Sequence, residues 1–88
     1  MGSKNEPGRF DCYVNALPSE PMFILLARDP DFHRLVNEWA DRRSGDIRCG
    51  LRPESDWPMV YEARDCATAG EKWRKNNEGV WRKPALTS

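Results

Sequence analysis

One stretch of the chain repeats apolar residues at helical spacing, and it constrains the fold more than any other feature. From Pro30 onward, Phe32, Leu35, Val36, Trp39 and Ala40 recur at i, i+3, i+4, i+7 and i+8, which gathers them on one side of an α-helix. Arg34 with Glu38, and Glu38 with Arg42, stand one turn apart on the opposite, solvent-facing side. Asp29-Pro30 opens the element, because Asp supplies an N-cap and Pro disfavours helical geometry in the residue before it. Arg42-Arg43 followed by Ser44-Gly45 suits the C-terminus, where the helix dipole favours cations.

Two other segments supply apolar partners. In Leu17-Pro18-Ser19-Glu20-Pro21, Ser19 can cap a helix whose first turn holds Glu20 and Pro21, leading into the apolar run Met22 to Ala27. Periodicity does not separate helix from buried strand in so short a run; Leu, Met and Ala outnumber β-branched residues, so helix is preferred and strand is the alternative. In either form no face is polar, which places the segment at the centre of the fold. Asp56-Trp57-Pro58 opens a third helix with Met59, Ala63, Cys66, Ala67, Gly70 and Trp73 on its inward stripe. Small residues dominate that stripe and permit close approach of a neighbouring helix, which offsets the propensity cost of Gly70 of about 1 kcal/mol. Asn76-Asn77-Glu78-Gly79 stops the helix, with Gly79 suited to the left-handed conformation and Val80-Trp81 folding back. Between the second and third helices, Asp46 to Trp57 reads as an irregular connection with room for a short extended piece at Asp46 to Leu51.

The resulting expectation is an all-α, three-helix domain over residues 12–83. Residues 1–11 form a disordered arm and residues 84–88 a frayed tail. The core would comprise Phe23, Leu26, Phe32, Leu35, Val36, Trp39, Val60, Ala63, Ala67 and Trp73.

Composition narrows the function classes. At 88 residues the chain suffices for one domain, and 32% charged residues with a mean hydropathy of -0.83 exclude an integral membrane protein. The polar N-terminus lacks the apolar core of a secretory leader, and Cys12, Cys49 and Cys66 are an odd number at wide spacing, so a reducing cytoplasm is the expected setting. A zinc site would have to draw on those three cysteines and His33, none of them in a CxxC or HxxxH pair, so no metal and no cofactor is expected. His33 flanks the apolar stripe and reads as structural. No GxGxxG or GxxxxGK[ST] loop is present, and no carboxylate pair is flanked by the apolar residues that tune a pKa for acid-base work. A non-catalytic protein is expected.

Charge is balanced overall, at 14 Lys and Arg against 14 Asp and Glu, but it is uneven along the chain. The C-terminus is basic and repeats one tripeptide, Trp73-Arg74-Lys75 and Trp81-Arg82-Lys83, with Lys72 beside it. Bases interleaved with aromatics neutralise phosphates and stack on unpaired nucleobases, so Lys72, Arg74, Lys75, Arg82 and Lys83 form a candidate nucleic-acid surface. The blander reading packs Trp73 and Trp81 on the core and leaves the cations at a helix C-terminus. A sequence pI near 6.6 favours the second.

The stretch Ala16-Leu-Pro-Ser-Glu-Pro-Met-Phe-Ile-Leu-Leu-Ala-Arg-Asp-Pro30, the Leu35-Val36 and Trp39 helix, Glu62-Ala-Arg-Asp-Cys-Ala67 and Lys72-Trp-Arg74 resembles a group of small bacteriophage- and prophage-encoded proteins. The resemblance spans roughly Ala16 to Lys83 and carries no catalytic residues. The group has other residues where this chain has Asp31-Phe32-His33, so His33 gains no role from it. What the resemblance implies is a small accessory protein in the bacterial cytoplasm that binds a host or phage protein, inhibition of a host defence system being one such role.

For protein binding, the candidate surface is the Asp46 to Trp57 connection and the start of the third helix. Tyr61 falls about 200° around that helix from Met59, hence away from the inward stripe, and Trp57 lies in a loop beside Pro58. Exposed aromatics and arginines are over-represented in binding hot spots, which singles out Arg48, Arg52, Trp57 and Tyr61. The alternative for Trp57 is a staple folded over the helix start. Glu54 and Asp56 complete a mixed-charge rim better suited to a protein than to a phosphate backbone.

Overall fold

The computed structural model describes residues 2–82. Helix α1 spans Cys12–Asn15, α2 Phe32–Arg48, α3 Trp57–Asn76 and α4 Glu78–Trp81, with a single 3-10 turn at Glu54–Asp56 before α3. Among the described residues there is no strand. The all-α expectation therefore holds, with its weight concentrated in the α2–α3 hairpin.

Contacts across the hairpin set its direction. His33 Nδ1 lies 3.7 Å from Glu71, Arg64 donates to Asp41 at 2.8 Å and Arg43 pairs with Asp56 at 3.7 Å. Residue numbers fall on α3 as they rise on α2, so the helices run antiparallel. Small residues make up much of the seam between them. Phe32, Ala40, Ser44 and Ile47 are buried from α2, and Val60, Ala63, Ala67 and Gly70 from α3, with Val36 and Trp57 half-buried against the cluster. Ser44 is accommodated because its hydroxyl donates to the Ala40 carbonyl at 2.8 Å. Gly70 admits the Phe32 ring: a Cβ there would stand 2.8 Å from Phe32 Cδ1.

The structure corrects the sequence reading in several places. Met22 to Ala27 forms neither helix nor strand and is not central: Phe23 is 83% exposed and Leu26 53%. With Pro18, Pro21 and Pro30 around it and no strand to pair with, the segment runs as irregular chain, held by half-buried Leu25 and Ala27. Ser19 caps nothing helical; instead Glu20 closes a turn by accepting from the Leu17 N–H at 3.0 Å. Leu35 (39%), Trp39 (36%) and Trp73 (40%) also lie outside the core. The reason is angular: α2 turns Phe32, half-buried Val36, Ala40, Ser44 and Ile47 inward at spacings of four and three, and Leu35 and Trp39 fall on its open flank.

Helix α2 also runs past Ser44-Gly45 to Arg48, so Asp46 to Leu51 holds no extended piece. The stop is a Schellman motif. The Gly50 N–H donates to Ile47 at 3.1 Å, the Leu51 N–H to Asp46 at 2.8 Å, and Gly50 takes φ +84°. Gly45, by contrast, sits inside the helix facing open space. Arg43, which a stop at Ser44-Gly45 would put at the helix end, instead reaches Asp56 and lies 4.7 Å from the Trp39 ring centroid. At the far end Gly79 is not left-handed; it belongs to α4, and the break falls at Asn77, whose side chain donates to the Trp73 carbonyl at 2.9 Å. Residues 2–11 carry no helix or strand, and the Phe10 N–H donates to Glu62 Oε2 at 3.3 Å. The frayed tail expected over residues 84–88 lies outside the described residues. No helix among the described residues is long and apolar enough to cross a membrane.

Candidate functional site

The hairpin tip is built by the end of α2, the Cys49 to Asp56 connection and the first turns of α3. Carrying α2 to Arg48 brings that side chain over the aromatic start of α3. The Arg48 guanidinium lies 5.8 Å from the Trp57 ring centroid. Trp57 and Tyr61, one turn apart on α3, stack with centroids 5.8 Å apart and 16° between planes. Offset stacking and cation–π contacts each hold such rings in register by about 0.5–1 kcal/mol. Trp57, read from the sequence as a loop residue, is instead the first residue of α3; it is half-buried on the Ala40, Ile47, Val60 and Ala63 cluster and forms the base of the site. Tyr61 is 59% exposed, as its angular position predicts.

Arg52 is exposed at the turn, its N–H sharing the Asp46 carbonyl with Leu51. Glu54 is exposed beside it. Asp56 is engaged rather than free: its pair with Arg43 is partly sheltered and ties the 3-10 turn to α2. The tip thus combines a tethered aromatic pair, two exposed guanidinium groups and an acidic neighbour. It offers apolar contact with charged edges.

At the opposite end of α3, about 30 Å away at 1.5 Å per residue, the basic residues are arranged differently. Trp81 folds back, its indole N–H donating to the Arg74 carbonyl at 2.7 Å. The guanidinium groups of Arg74 and Arg82 lie 4.7 and 5.2 Å from the Trp81 ring centroid. Arg74 Nε also donates to the Arg28 carbonyl at 3.2 Å. This is a clasp joining α4, α3 and the segment before α2. Lys72 and Lys75 are exposed, Lys75 lying 3.7 Å from Glu71, and Trp73 is half open to solvent. Lys83 lies outside the described residues.

The remaining chemistry-bearing groups are scattered. His33 bridges Asn37, 3.2 Å from its Nε2, and Glu71, which ties α2 to α3. Cys12 and Cys49 are exposed and unpaired; burial pushes the half-buried Cys66 thiol above its ordinary pKa, away from nucleophilic use. Among the described residues no three His, Cys, Asp or Glu side chains gather as a metal-holding group. On the flank of the hairpin, Leu25, Leu35, Val36, Trp39 and Ala63 line an open apolar groove. The sequence reading misses it because apolar residues at these positions are taken for core.

Comparison with family models, with curated proteins and with solved structures gives no match to this chain.

Proposed function

We propose that this chain is a non-catalytic protein-binding domain that engages its partner through the hairpin tip. Tyr61 and Arg48 make the contact, Trp57 is the platform beneath them, and Arg52 stands at the rim. The observation that carries this reading is the contact of Arg48 and Tyr61 with the Trp57 ring, with Tyr61 left mostly in solvent. Tyr, Trp and Arg are the residues in which hot spots concentrate, and side chains already held by stacking lose less conformational entropy on binding. The mixed charge of Arg48, Arg52 and Glu54 suits a protein surface better than a polyanion.

The nucleic-acid reading of the basic C-terminus is the weaker one, because Trp81, Arg74 and Arg82, on which its aromatic–basic pattern rests, are engaged with one another. Trp81 has its N–H bonded and guanidinium groups over its ring, which leaves less of it for stacking on a base. A partner from a bacterial host or its phage, met in the cytoplasm and involving a defence system, is the setting that the resemblance of Ala16 to Lys83 suggests.

Affinity capture of the tagged protein from a phage-infected bacterial host, read by quantitative mass spectrometry, tests the reading. Arg48→Ala with Tyr61→Ala is the informative variant, since Trp57→Ala would also disturb the core. A protein retained by the wild-type chain and by a Lys72→Gln, Arg82→Gln variant, and lost with the tip variant, is the expected result. Retention of nucleic acid that fails only in the basic variant, and falls steeply with salt, would transfer the function to the C-terminus.

A further inference from the structure

We propose that two copies of this chain pair through the flank of the hairpin on which Leu25, Leu35 and Trp39 open, forming a two-fold symmetric dimer. This surface is separate from the tip, and the proposal stands independently of the function assigned there.

The apolar stripe of α2 is wider than α3 covers. Ala40 is buried and Val36 half-buried in the seam, while Leu35 and Trp39, one helical position before each, are open to solvent. Beside them runs the irregular segment in which only Leu25 and Ala27 turn toward the protein, leaving Met22, Phe23, Ile24 and Leu26 exposed. At about 200 Å² for a large apolar side chain, the exposed fractions of Phe23, Ile24, Leu26, Leu35 and Trp39 amount to about 530 Å². That is toward the upper end of the largest apolar patch on an ordinary monomer, about 300–600 Å². Burial of this face on two copies removes about 1,060 Å², just above the about 1,000 Å² that a specific interface needs.

Three observations point to a second copy as the occupant. None of these five side chains is charged, and the formal net charge of the chain is zero, so copies approach without mutual repulsion. Two antiparallel helices joined by a short connection are half of a four-helix bundle, and a two-fold axis uses the same patch twice. Leu35 and Trp39 are one turn apart, so antiparallel approach of the two α2 helices sets Leu35 of one copy against Trp39 of the other.

Sedimentation velocity of the full chain across a wide concentration range is the test. The expected mass is twice 10.2 kDa at high concentration, falling to 10.2 kDa on dilution. Phe23→Ser with Leu26→Ser lies outside every helix and should weaken the dimer at least about tenfold with its helical circular dichroism intact; Leu35→Asp should do the same by setting like charges at the interface. Radical footprinting of the unmodified chain adds a readout that needs no variant: Phe23 and Trp39 should become more reactive on dilution while Tyr61 does not change. A wild-type chain that stays at 10.2 kDa throughout overturns the proposal, even if some other protein occupies the face. So does a dimer indifferent to both variants, one that protects Tyr61 instead of Trp39, or open-ended assembly beyond two copies.

Discussion

Substituting Gly70 by Ala separates two effects that usually travel together. In a helix interior, Gly→Ala stabilises by about 1 kcal/mol, because Ala orders at lower entropic cost. At Gly70 the new Cβ would stand 2.8 Å from Phe32 Cδ1, inside van der Waals contact with a buried ring, and overpacking of this kind costs about 1–3 kcal/mol. Gly45 is the internal control: it lies within α2 with nothing inside 4 Å of where the new methyl would stand, so it receives the propensity gain alone. Gly45→Ala should therefore raise stability by about 1 kcal/mol, while Gly70→Ala should be neutral or lower it by up to about 2 kcal/mol. For a domain of this size, 1 kcal/mol moves Tm by about 4–8 °C, so the two midpoints should separate clearly in thermal denaturation followed by helical circular dichroism. In a Phe32→Leu background the clash is relieved, and Gly70→Ala should become stabilising. Equal stabilisation at both positions would refute the close α2–α3 approach at Gly70.

Gly50→Ala should cost about 1 kcal/mol or more in urea denaturation, because φ +84° at the Schellman glycine is unfavourable for a residue with a Cβ. Ile47→Ala, which empties a buried site, should destabilise by about 2–5 kcal/mol, whereas Trp39→Ala should cost less than the about 3–5 kcal/mol of a core aromatic; the reverse ranking would contradict the open flank of α2. Thiol titration of the native protein at neutral pH should show Cys12 and Cys49 reacting quickly and Cys66 slowly, its thiol being half-buried and raised in pKa, with all three equal after denaturation.

Helix identity is legible in the sequence where the apolar spacing is long, although the caps read there do not form: α2 starts at Phe32 and not at Asp29-Pro30, and neither Asp31 nor Asp56 makes a side-chain capping bond. The Phe32 to Ala40 stripe and the Asp56-Trp57-Pro58 start both lie on or at the helices they announce, and the small residues Ala63, Ala67 and Gly70 do admit close packing. Which part of a stripe faces the partner is not legible, because with one antiparallel neighbour only about half of the Phe32, Leu35, Val36, Trp39, Ala40 arc is covered. The end of α2 is misread for a related reason: Gly45 looks like a terminator, yet Ile47 continues the apolar spacing from Ala40, and Gly50 is available as the true stop. Met22 to Ala27 misleads because apolarity reports a preference for burial and says nothing of whether a partner exists within the chain. At the tip, the exposure of Tyr61 follows from about 100° per residue, but the Arg48 contact with Trp57 requires α2 to reach Arg48.

The central claim, that the tip binds a protein through Tyr61 and Arg48, is tested most directly by the affinity of the captured partner for the wild-type chain and for Tyr61→Ala, each measured at low and high salt. The expected outcome is a loss of at least about 2 kcal/mol, roughly thirtyfold in Kd, from removing one hot-spot ring, with little dependence on salt and a melting temperature lowered by only a few degrees, the domain remaining folded. An affinity unaffected by Tyr61→Ala would contradict it.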